Sequence, residues 1–149
     1  MHPSDNVDDV IRRSSPDVGY ISPDAFNSMN ISQSVKVNGL IHYSGIAAAG
    51  PDGSCVASGD AAGQIAWIFE ILRRLLAKEN LTMANLVSTT LYTTDIDLMA
   101  QHMPLFSSAF AGAPPTSTWV EVKRLGHPEY LLEVVAIAAV SCTSGRDGC

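Results

Sequence analysis

The sequence predicts an α+β domain: one mixed β-sheet with two helices on one of its faces. Three observations carry this. SVKVNGLIHYSG alternates in polarity about Asn38-Gly39, the dipeptide that best supplies the two positive φ angles of a type I′ hairpin turn. Ile65, Phe69, Leu72 and Leu76 recur at helical spacing, with Glu70, Arg73, Arg74 and Lys78 on the other side. LVSTTLYTT and YLLEVVAIAAV are short apolar or β-branched runs bounded by turn residues, as strands are.

Residues 1 to about 30 are rich in Ser, Asp, Asn and Pro with little periodicity. They are expected to form a loose N-terminal arm, with short β pieces near Val10-Ile11 or Tyr20-Ile21. The domain proper is placed at 31–142, and 143–149 is expected to be a flexible tail. The Asn38-Gly39 turn implies strands over roughly 33–37 and 40–44, followed by a loop over AAAGPDGSCVASGD. The long helix begins after Asp60. After the LVSTTLYTT strand, Thr94 with Asp97 resembles a capping box opening a second helix, with Ile96, Met99, Met103, Phe106 and Phe110 on one face. Pro104 removes a backbone donor within it and predicts a kink or a late start. GAPP ends that helix, and STWVEVKRL and YLLEVVAIAAV then form two strands joined as a hairpin through Gly126-His127-Pro128-Glu129. The order ββαβαββ closes into one sheet. The last strand is apolar on both alternating faces, so a subunit interface is the natural cover for the second.

A chain of 149 residues with 46% hydrophobic content can fill one core unaided. Its net charge of −6 disfavours nucleic-acid and anionic-membrane partners, which require clustered Lys and Arg. No run reaches the roughly 18 apolar residues of a membrane span, and the N-terminus has no apolar signal region, so a cytoplasmic location is expected. Cys55, Cys142 and Cys149 have no metal-ligand spacing and read as free thiols, although Cys142 and Cys149 would be able to pair under oxidation. Phosphate-loop, dinucleotide and serine-hydrolase motifs are missing, and no metal or cofactor is expected.

Glu133 is the informative anomaly: it is the single ionisable residue in the run from Leu131 to Val140. An unpartnered buried carboxylate is costly, so its site is wet, hydrogen-bonded or functional. The plainer reading is a strand-end Glu that faces solvent or pairs with Lys123 or Arg124 on the neighbouring strand. His127, in the turn, is a candidate for proton transfer or an inert surface His. His42, His102, Gln64 and Trp67 read as structural.

PPTSTWVEVKRL, followed six residues later by LEV, resembles the C-terminal signature of the reactive-intermediate (imine/enamine) deaminase family, also called YjgF or RidA. The resemblance extends over about residues 31–140 through ISQSVKVNGLIHYSG and QIAWIFEILRRLLAKENLTMANLVSTTLYTTDID. It implies a chorismate-mutase-like fold with a mixed six-stranded sheet, a homotrimer, and small-molecule pockets in the clefts between subunits. The family reaction it implies is hydrolysis of 2-aminoacrylate and related enamines or imines to a ketoacid and ammonia.

Carried over position by position, the family's water-positioning glutamate falls on Glu133, and its substrate-orienting backbone turn falls on Ser44-Gly45. The other site residues differ. The arginine that clamps the substrate carboxylate falls on Ser117, the pocket tyrosine on Ile31, the asparagine near Met103, and a small residue on Trp119. A serine cannot replace a planar bidentate cation. The resemblance therefore implies a diverged enzyme acting on an imine, enamine or related C–N bond of a more apolar molecule, in a specialised catabolic or secondary-metabolite pathway. Trp119 either stacks on a planar ligand or fills the space the substrate would occupy. The alternative is a non-catalytic ligand-binding or regulatory trimer on the same fold. RNA cleavage, sometimes assigned to this family, fits the acidic charge poorly.

Overall fold

The computed structural model describes residues 10–140. Six strands form one mixed sheet in the order β1-β2-β3-β6-β4-β5. The strands are β1 (Arg12–Ser14), β2 (Ser34–Val37), β3 (Leu40–Ala47), β4 (Leu86–Thr93), β5 (Thr116–Glu121) and β6 (Leu132–Ala139). All pairs are antiparallel except β4 with β5. The β2–β3 turn has Asn38 at φ 51° and Gly39 at φ 76°, the two left-handed residues that a type I′ turn requires.

Four α-helices occur among the described residues: α1 (Pro23–Met29), α2 (Ala61–Lys78), α3 (Ile96–Gln101) and α4 (Met103–Ala109). The expectation of two helices is corrected to four. The predicted second helix breaks at His102, with Pro104 in the first turn of α4, where a proline's missing N–H costs nothing. Asp95, not Thr94, caps α3 by accepting from the Leu98 amide at 3.0 Å.

The fourth helix, α1, lies in the segment expected to be a loose arm. Over the described part of that segment the expectation fails. Ser22 caps α1 through the Ala25 amide, Pro23 opens it, and Asn30 closes it in the left-handed conformation at φ 55°. β1 pairs with β2, and Tyr20 and Phe26 belong to the hydrophobic core. Two buried aromatics hold this segment to the domain although it lacks periodicity. Residues 1–9, the tail 143–149, and Cys142 and Cys149 lie outside the described residues.

The core lies between α2 and the sheet. Asp60 caps α2 through the Gly63 amide at 3.0 Å, and the helix buries Ile65, Ile68, Phe69, Leu72 and Leu76. These meet Ile41, Tyr43 and Ile46 of β3, Leu91 of β4, and Leu132, Val134, Ala136 and Ala138 of β6. α4 joins through Phe106, whose ring stands 5.8 Å from Phe69 at 81°, an edge-to-face geometry.

The expected β5–β6 hairpin does not form. β5 runs parallel to β4 at the sheet edge, and the chain returns through 122–131 to place β6 between β3 and β4. A central β6 explains why that strand is apolar throughout. Its alternate residues Val135, Ile137 and Ala139 lie on the face opposite the core and are half-buried, while Leu40 and Val120 on the same face are exposed.

Candidate functional site

Glu133 sits near the start of β6, between Ala47 of β3 and Tyr92 of β4. Val134 points into the core, so Glu133 projects to the opposite face. Its side chain is half-buried and makes no hydrogen bond or ion pair with any described residue. Removal from water pushes its carboxyl above the ordinary value. Lys123 and Arg124 are not on a neighbouring strand, so the expected cross-strand ion pair is replaced by Ala47 and Tyr92.

Ser44 and Gly45 form a β-bulge, not a turn. Between Tyr43 and Ile46 the β3 strand carries one residue more than β6 opposite it, which re-aims the local side chains. A Cβ on residue 45 would overlap Oε1 of Glu133, so glycine is required for the carboxylate to lie on the bulge. The Ser44 backbone is already engaged: its N–H donates to Gln33 O at 2.8 Å, and its C=O accepts from Gln33 Nε2 at 3.4 Å. Its hydroxyl donates to Ser32 O at 2.7 Å.

Met103, Ser117 and Trp119 meet elsewhere. They line an apolar groove of about 530 Å³ between α4 and β5, together with Phe106, Phe110 and Pro115. Trp119 packs against Phe106 with ring centroids 5.0 Å apart, and below it lie Phe69, Leu91 and Val134. The groove is therefore on the helical face of the sheet and Glu133 on the other. Its volume suits a small ligand, and no charged side chain lines it. Ile31 is exposed just after α1, where its N–H donates to Phe26 O.

Two residues near Glu133, Tyr20 and Tyr130, escaped the sequence reading. Tyr20 is buried and its hydroxyl oxygen accepts the Ala47 amide at 2.9 Å. Tyr130 donates to Gly53 O at 2.7 Å. Burial pushes both phenols up, and the nearby Glu133 charge adds to each shift. Gln64, read as packing, is a fully buried connector. Its Nε2 donates to Glu129 O at 2.9 Å and Ala57 O at 3.3 Å, while its Oε1 accepts from Leu131 N at 2.9 Å. It ties the 48–60 loop to the segment that leads into Glu133. His127 stacks on Tyr130 at 5.0 Å, and its Nδ1 accepts the Glu129 amide.

A mixed six-stranded sheet over a long helix, with a lone carboxylate laid on a glycine bulge, defines a class of small α+β domains. The family model described as Endoribonuclease L-PSP matches residues 23–140, and the chain belongs to this family, also known as YjgF/RidA. A RutC family protein of Pyrococcus abyssi is 28% identical over 107 residues, which are 72% of this chain and 84% of that protein. Among solved structures, the Rid-family protein YyfA of Yersinia pestis is 29% identical with a TM-score of 0.67, covering 73% of this chain and 86% of that one. Rv2704 of Mycobacterium tuberculosis, of the YjgF/YER057c/UK114 family, shares the fold at 24% identity and TM-score 0.72, covering 87% of this chain and 99% of that one.

Proposed function

We propose that the protein is a diverged RidA-like enzyme that acts on an imine, enamine or related C–N bond of a rather apolar small molecule, with Glu133 as general base. One observation carries the reading: a half-buried carboxylate with no partner among the described residues and a raised pKa, seated where only glycine fits beneath it. In hydrolysis, a water hydrogen-bonded to Glu133 adds its oxygen to the carbon of the protonated imine as one water proton passes to the carboxylate, giving a neutral carbinolamine. Glu133 returns that proton to the nitrogen as the C–N bond breaks, and the hydroxyl proton passes to the released amine or solvent, leaving the carbonyl product and the amine. A general base of this kind supplies roughly 10²–10⁴-fold.

Glu133 and the Ser117–Trp119 groove lie on opposite sheet faces of one chain, so a shared site needs a second copy. This supports a homotrimer in which one subunit's Glu133, Ser44 and Gly45 face the next subunit's Met103, Ser117 and Trp119 across a cleft. The uncovered apolar face of the sheet supports the same assembly. The separation also favours a second reading, in which the groove binds ligand and no reaction follows. The discriminating experiment measures ammonia release from a panel of cyclic and aryl imines by the wild type and by Glu133→Gln. Loss of turnover in the variant is expected. Equal turnover in both would remove Glu133 as the base, and binding without turnover in both would leave the binding module.

A further inference from the structure

The N-terminal segment places a polar atom against Ala47, the cross-strand partner of Glu133. Tyr20 is 3% exposed, and a buried hydroxyl has both a proton to donate and lone pairs to fill. The Ala47 amide fills the acceptor side at 2.9 Å. No described residue accepts the phenolic proton. Ala47 is the direct cross-strand partner of Glu133, whose carboxylate in turn receives no donor. A buried unused donor and a half-buried unused acceptor thus lie about Ala47, one bonded to its amide and the other across the strand pair. Leaving the buried phenolic proton unpaired would cost free energy that a partner restores. The phenol and the carboxylate are not in direct hydrogen-bond contact, and a single water with two polar partners is the smallest bridge between them.

We infer that Tyr20 is a positioning residue for the Glu133 site, donating its phenolic proton to a water that it holds jointly with the carboxylate. This rests on the reading of Glu133 as the functional carboxylate. Tyr92 across the strand and Tyr130 are the other titratable groups beside Glu133. Tyr130 has spent its proton on Gly53 O; Tyr92 is the rival donor, and a Glu133 titration that moves in Tyr92→Phe but not in Tyr20→Phe would overturn the inference.

The test follows the Glu133 carboxyl by carbon NMR titration in the wild type and in Tyr20→Phe. Removing a donor to the charged form is expected to move the Glu133 pKa further up. In any imine-hydrolysis assay that registers wild-type turnover, kcat should fall roughly tenfold with KM within about twofold. Tyr130→Phe is expected to leave the Glu133 titration nearer to wild type than Tyr20→Phe does. An unchanged Glu133 titration in folded Tyr20→Phe would overturn the inference. Should that variant not fold, Glu133→Gln supplies the reciprocal measurement, with the Tyr20 phenol titrating lower than in the wild type; an unmoved phenol would overturn it equally. Both titrations are independent of turnover, so a missing reaction would count against the proposed function without touching this coupling.

Discussion

Gly45 and Glu133 are packed so closely that one additional carbon on residue 45 would take the place of the carboxylate oxygen. Gly45→Ala must therefore expel the Glu133 side chain or deform the bulge. Because the overlapped atoms are the end of a flexible side chain, the carboxylate is expected to swing aside with little change in stability. A carboxylate pushed toward solvent also loses the burial that raises its pKa, so Glu133 should titrate closer to the ordinary range. Denaturant unfolding reads the first effect and carboxyl NMR the second. An alanine variant with wild-type stability and wild-type Glu133 titration would show that the bulge opens freely.

The raised pKa of Glu133 makes a stability prediction whose sign differs from that of an ion-paired acid. Folding here favours the protonated carboxyl. The group is at no disadvantage below its unfolded pKa, and it destabilises the native state increasingly as pH rises through the folded value. Glu133→Gln removes the charge with little change of shape. The variant should therefore melt above the wild type at neutral pH, with the difference shrinking toward zero as pH falls below the ordinary Glu range. A variant that melts lower at pH 7 would mean that the carboxylate has a stabilising partner.

Tyr20 should be a structural requirement as well as a neighbour of the site. Its ring lies 6.3 Å from that of Phe26, and its hydroxyl caps the Ala47 amide. Tyr20→Ala removes both and is expected to cost about 3–5 kcal/mol. A chain shortened through residue 20 should lose at least as much, since β1 goes with it. Thermal melts of the two forms provide the check, and an unaltered midpoint would restore the view of a loose arm.

Elements with a local signature were legible in the sequence. Asn38-Gly39 marked its turn, Asp60 marked the start of α2, and Pro104 marked the break between α3 and α4. The Ser22-Pro23-Asp24 start of α1 is a similar signal, obscured by the polar composition around it. Pairing was less accessible. STWVEVKRL and YLLEVVAIAAV are adjacent in sequence and read as a hairpin, yet β6 inserts between β3 and β4; its apolar run on both faces fits a central strand, but nothing local to it names its neighbours. The lone charge of Glu133 stood out at once. Tyr20 did not, because a tyrosine beside Gly19 in a non-periodic stretch carries no mark of the strand end it will cover.

The groove around Trp119 allows a direct test of substrate class. A carboxylate entering it meets Ser107 and Ser117 hydroxyls and aromatic or aliphatic walls, with no cation among the lining residues. Compared with a site that carries a guanidinium, the missing counter-charge costs about 3 kcal/mol or more, a factor of roughly 10² in kcat/KM. The protein should thus hydrolyse 2-aminoacrylate at least about a hundredfold more slowly than a family member that has the arginine. Ser117→Arg alone should recover little, because Trp119 is wedged against Phe106 over the groove floor and occupies the volume a guanidinium needs. Ser117→Arg combined with Trp119→Cys should recover more. Ammonia and pyruvate release from enzymatically generated 2-aminoacrylate, measured for the three proteins, gives the ranking. Fast turnover by the unmodified chain would place a cation from elsewhere, Lys123 or Arg124 of an adjacent subunit, against the substrate carboxylate, and the preference for an apolar substrate would fall.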